Sequence, residues 1–220
     1  MRRMLLAAIL VAASAGMGCK PSADLNNPSF AGTHSAFEVY ERIEALIDAQ
    51  KDNKQDREDA YALVVKQADT SPEYYFARAA VAGRLAENRG LQALGLVTET
   101  EDYARKVRAI DPDYREGAAT RMLGTLYVLA PPSLVKHGDS ETGLELLEAE
   151  VKTHPERLIS RLRLAEAYIA LGDPEPAKEH LCVVQRGEAT LSDGDRRLLT
   201  KLVADSGKLE CSAAAPQPAA

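Results

Sequence analysis

Apolar residues recur along this chain at the spacing of one face of an α-helix. After Ser35-x-x-Glu38, which reads as a capping box, Val39, Ile43, Leu46 and Ile47 fall at i, i+4, i+7 and i+8 and predict a helix to about Ala49. A second stripe, Tyr61, Val64, Val65 and Ala68, predicts a helix over about 57–68. Ser71-Pro72 places a cap before a proline at the first helical position, opening a helix to about Glu87 with Tyr74, Ala77 and Val81 on one face. Residues 90–96 read as a glycine-interrupted connector or short helix. Thr98-x-x-Glu101 caps the next helix, with Tyr103, Val107 and Ile110, and Asp113-x-x-Glu116 begins the one that carries Met122, Leu123, Leu126 and Tyr127. Beyond a proline-rich interruption, helices are predicted over 140–153, 156–171, 174–184 and 193–206, the last stopped by Gly207. No stretch alternates polar and apolar positions for the length of a strand, so the chain is expected to be all-α with eight or nine helices.

A 34-residue period identifies how those helices stack. Gly138-Asp139 aligns with Gly172-Asp173, Gly143 with Ala177, Leu147 with Leu181 and Glu150 with Val184. That period with a helix-turn-helix unit is the tetratricopeptide signature. In this register Leu164-Ala165-x-x-Tyr168 and Leu123-Gly124-x-x-Tyr127 are the first-helix motifs of two units, and seven extra residues occupy the turn of the earlier one. The expected fold is a tetratricopeptide-like α-solenoid of about three units over residues 35–207. Each helix pair buries a face on its neighbour and the stack presents a concave surface. The register puts Arg121, Thr125 and Val128 of one unit and Ile159, Leu162 and Glu166 of the next on that surface. This apolar groove wall with an arginine suits an amphipathic partner segment or an organic acid; the alternative is that the next helix pair covers it. Arg121 then either grips a carboxylate or is a structural residue paired with a carboxylate such as Glu166.

The N-terminus carries an address. Arg2 and Arg3 precede an apolar run from Met4 to Ala13 that is too short to span a bilayer, so residues 1–18 read as a signal peptide. Gly16-Met17-Gly18-Cys19 resembles a bacterial lipobox, in which the cysteine takes diacylglycerol and becomes the new terminus; Ala13-Ser14-Ala15 is the rival site and fits ordinary signal peptidase. Residues 19–34 then read as the lipidated Cys19 and a flexible tether, and 208–220 as an Ala/Pro-rich tail. Lipidation places the chain in the bacterial cell envelope, facing the periplasm and held to the membrane by its lipid alone. Lys20 after the cysteine points to the outer membrane. With Cys19 acylated, Cys182 and Cys211 remain, and an even remainder in an exported chain suggests a disulfide; the alternative is two unpaired thiols.

Composition narrows the function. A formal charge of −6 among 220 residues becomes −8 once Arg2 and Arg3 leave with the leader, and it argues against a nucleic-acid partner. His34, His137, His154 and His180 are scattered without a metal-ligand spacing. No Gly-x-Ser-x-Gly elbow, P-loop or dinucleotide fingerprint is present, so neither enzymatic activity nor a cofactor or metal is expected. The acidic runs Glu38/Glu41/Glu44 and Glu145/Glu148 read as solvated helix faces.

The blocks Gly90-Leu-Gln-Ala-Leu-Gly-Leu96, Leu123-Gly124-Thr125-Leu126-Tyr127, Pro131-Pro132-Ser133-Leu134 and Gly138-Asp139 together resemble the TRAP-transporter T-component (TatT-like) family, over residues 74–187. The resemblance implies a lipid-anchored periplasmic accessory of tetratricopeptide-like build that docks a periplasmic substrate-binding protein or holds an apolar organic acid. The alternative is a tetratricopeptide scaffold lipoprotein for envelope assembly, of the outer membrane or a pilus.

Overall fold

A computed structural model describes residues 26–211 of the chain. The leader, Cys19 and the start of the tether lie outside the described residues, as does the tail beyond Cys211. Within them the chain forms nine α-helices joined by short connections and four 3-10 turns, with no strand, as the periodicity predicted. The helices are α1 (Ala36–Asp48), α2 (Lys54–Val65), α3 (Pro72–Ala86), α4 (Leu94–Ile110), α5 (Tyr114–Leu129), α6 (Ser140–Thr153), α7 (Leu158–Ala170), α8 (Pro174–Arg186) and α9 (Asp193–Asp205). The tightest pairings are α3 with α4, α5 with α6 and α7 with α8, so three helix-turn-helix units follow one another, flanked by α1 and α2 at one end and by α9 at the other. The far ends also meet. Gly194 N–H at the start of α9 donates to the Asp48 carboxylate at the end of α1, and Arg197 Nη2 donates to the Asp48 carbonyl at 2.9 Å.

Local signals set several boundaries as read. Ser35, Ser71 and Asp139 each accept a backbone N–H of the first turn of α1, α3 and α6. Others move. The second helix begins at Lys54, because Asn53 caps it in a reciprocal box with Asp56. The supposed cap Thr98 lies inside α4, which opens at Leu94 out of the 3-10 turn Gly90–Ala93. Glu101, freed from capping, is fully buried and serves another role described below. Asp113 makes no cap hydrogen bond to α5; it faces Arg157 at 3.2 Å instead.

Both predicted ends of the folded region were too narrow. Asn27 reaches Asp56 and Asp59 through Nδ2 at 2.9 and 2.8 Å, and Phe30, 4% exposed, enters the core of α1, α2 and α3. The last part of the tether is therefore docked rather than free. At the other end Leu209 packs on the core of α7, α8 and α9, and Cys211 is bonded to Cys182 with their Cα atoms 5.4 Å apart. The first residues of the tail thus belong to the fold, and the two cysteines form the bridge.

Close approach of α5 and α6 depends on two glycines. A Cβ on Gly124 would sit 2.6 Å from Leu147 Cγ, and one on Gly143 would sit 2.7 Å from the Gly124 carbonyl oxygen. The equivalent positions of the next unit are Ala165 and Ala177, both fully buried, so that pair has room for methyl groups that α5 and α6 lack. Gly143→Ala, although it copies the neighbouring unit and improves helix propensity by up to about 1 kcal/mol, is expected to lower stability by about 1–3 kcal/mol through overpacking against backbone. A urea unfolding curve at or above the wild-type midpoint would show that the helices can separate without cost.

Candidate functional site

The groove read from the repeat register does not form as an open wall. Leu162 is fully buried in a cluster with Ala165, Ala177 and Leu181, and Ile159 packs against the same cluster. Val128 lies against the core of Leu147, Val151 and Leu164. Thr125 is half-buried, and its hydroxyl oxygen has no hydrogen-bond partner among the described residues. Glu166 pairs with Arg163 at 2.9 Å, and Arg163 also reaches Asp195 of α9 at 3.2 Å. These residues do lie on adjoining faces of α5 and α7, but neighbouring side chains occupy most of that surface.

Arg121 explains why. The chain enters α5 through three successive residues in the left-handed region, Arg115 (φ 48°), Glu116 (φ 57°) and Gly117 (φ 78°). For the two that carry a Cβ this costs about 1–2 kcal/mol each. Their carbonyls are turned toward Arg121, whose guanidinium donates to Glu116 O and, at 3.4 Å, to Arg115 O and Ser160 Oγ. Glu150 of α6 stands 4.0 Å behind it. Burial disfavours the charged guanidinium and holds its pKa below the ordinary arginine value, partly offset by the charge of Glu150. Arg121 is a clamp on a strained turn. The contacts of Arg121 are those of the structural role, with Glu150 rather than Glu166 as the carboxylate.

Glu150 is itself the centre of a buried polar cluster that periodicity did not identify. It is 8% exposed, accepts from Arg157 Nη1 at 3.0 Å and from Ser160 Oγ at 3.2 Å, and fills the space in front of Gly117, where a Cβ would fall 2.5 Å from Glu150 Oε1. The repeat alignment did hold a signal. Glu150 stands where the next unit has Val184, a fully buried apolar residue.

A second buried carboxylate organises the inserted turn. Glu101 accepts from the Tyr127 hydroxyl at 2.9 Å and from the backbone N–H groups of Lys136 and His137 at 2.9 and 2.7 Å. Burial, reinforced by the bond to Glu101, pushes the Tyr127 hydroxyl up to about 12. Leu134, on the 3-10 turn Pro132–Leu134, is buried against Ala93 and Val97. The insertion is therefore a fixed rim.

That rim borders an open cavity of about 440 Å³ between α4, α5 and α6. Its floor is apolar, built from Leu123, Leu146, Ala109 and Pro112 beside the Tyr127 ring. Arg105 and Arg108, one helical turn apart on α4, stand at its edge with His137 and Thr142 opposite. Both arginines are exposed, and among the described residues neither forms an ion pair. The arrangement can hold an anion over an apolar surface. The described residues contain no cluster of side chains able to hold a metal ion, and no helix among them is long and apolar enough to cross a membrane. Comparison with known protein families and with curated proteins gives no match to this chain.

Proposed function

We propose that the chain is a lipid-anchored, periplasm-facing binding protein that acts as an accessory to a TRAP-type transporter, docking a substrate-binding protein or holding an apolar organic acid. The observation that supports this reading best is the meeting of the resemblance-bearing blocks in one place. Ala93 of the first block packs on Leu134 of the Pro-Pro turn. Tyr127 of the second is tied through Glu101 to the backbone that leads into Gly138-Asp139. Residues separated by up to 49 positions in sequence thus form a single structural feature, as a family motif does. The Cys182–Cys211 bridge fits an oxidising compartment such as the periplasm.

The test is made on the full chain extracted from its own envelope. Mass spectrometry of the N-terminal peptide is expected to show lipidated Cys19, and a mature terminus at Gly16 sinks the anchor. Crosslinking before extraction is expected to capture a substrate-binding protein of a TRAP system. Recovery of outer-membrane or pilus assembly proteins in its place rejects the transport role in favour of a scaffold.

A further inference from the structure

The cavity between α4, α5 and α6 has the chemistry of a small-molecule site. Its floor offers apolar surface from Leu146, Ala109 and Pro112 over the buried Leu123, so what seats there must bring an apolar body. Its edge offers two guanidinium groups without carboxylate partners among the described residues, presented at i and i+3 on the same face of α4. The ion-paired arginines Arg57, Arg78, Arg84, Arg157 and Arg163 are half-buried, whereas the exposed ones form no ion pair among the described residues; what sets Arg105 and Arg108 apart from the other exposed arginines is that they stand together at the edge of a cavity. Two carboxylates of the preceding turn of α4 have other partners. Glu101 is used by Tyr127 and two backbone N–H groups, and Asp102 lies 3.9 Å from His137 Nε2. Unanswered positive charge beside an apolar floor points to a negative head on an apolar tail.

We propose that this cavity binds an aliphatic monocarboxylate, its carboxylate held by Arg105 and Arg108 and its tail laid over Leu146, Ala109 and Pro112. A carboxylate matches the planar fork of a guanidinium. The floor is too apolar for a bare inorganic anion to gain from it. The site lies away from the Arg121 face, so it needs none of the residues that hold the strained turn. The proposal rests on reading the chain as a binding protein, but it does not depend on the transporter partner. A carboxylate bound without any substrate-binding protein captured leaves the site standing while the transport role falls.

The probe is hexanoate, titrated calorimetrically into the full lipidated chain in mild detergent with empty micelles as the blank. Hexanoate is expected to bind one to one with a dissociation constant below about 1 mM, and 1-hexanol at least about tenfold more weakly, since it keeps the tail and lacks the charge. Arg108→Gln and Arg105→Gln should each weaken hexanoate about tenfold with no change in melting temperature. Ala109→Trp fills the cavity, leaves both arginines in place, and should abolish binding. The site is rejected if hexanoate does not bind at 10-fold the expected constant, if 1-hexanol or inorganic phosphate binds as tightly, or if Ala109→Trp leaves the affinity unchanged.

Discussion

Glu150→Ala is expected to lower the stability of the folded chain by about 3–5 kcal/mol, the range for removing one partner of a buried ion pair. The substitution leaves Arg121, 14% exposed, without its carboxylate, and leaves Arg157, equally buried, with only the exposed Asp113 and Glu156 as partners. It also removes an acceptor from Ser160 Oγ, which is fully buried. The guanidinium that restrains the left-handed entry to α5 then loses its counter-charge. Urea unfolding followed by helical circular dichroism measures the effect. A loss under about 1 kcal/mol would mean that the cluster is solvated in solution and adds little. The double variant Arg121→Leu with Glu150→Val is expected to recover part of the loss, because it removes opposite charges together and restores the valine of the neighbouring unit.

Reduction of the Cys182–Cys211 bridge is expected to cost up to about 3.5 kcal/mol, the chain-entropy value for a loop of this length. The bonded residues are 29 apart, and the loop they close contains the whole of α9. Cys211 is exposed, so reductant has access without prior unfolding. The midpoint of urea unfolding should fall on addition of a phosphine reductant, and Cys211→Ala should match it within error and be insensitive to the reductant. Thiol alkylation of the denatured, unreduced chain should label neither cysteine. An unchanged midpoint would place the stability of this end in Leu199 and Leu202 alone, both of which are buried in the terminal core.

Much of the architecture was legible in the sequence, because helix positions follow from the spacing of apolar residues. The limits of α6 were read without error, since Asp139 both ends the turn and caps the helix. What failed were polar residues whose partners lie far away in sequence. Thr98-x-x-Glu101 has the spacing of a capping box, yet Glu101 bonds Tyr127 and the backbone at 136 and 137, which no local pattern encodes. Asp113 and Arg121 were likewise drawn to Arg157 and to a strained turn rather than to the positions their register suggested. The cavity was invisible for the same reason. Arg105 and Arg108 look like a solvated face until α5, α6 and the inserted turn are brought beside them.

The docking of Asn27 and Phe30 sets a leash. Under the proposed acylation of Cys19, the chain between the anchor and the docked Asn27 spans eight peptide steps, not the fifteen of the whole tether. Fully extended, eight residues reach about 28 Å. A domain of this size is about 40 Å across. The protein therefore cannot rise above the membrane by as much as its own diameter, and the pole bearing α1 and α2 must stay turned toward the lipid. A large partner can approach only from the flank or from the far side, so the geometry of the tether selects orientation before any side chain makes contact.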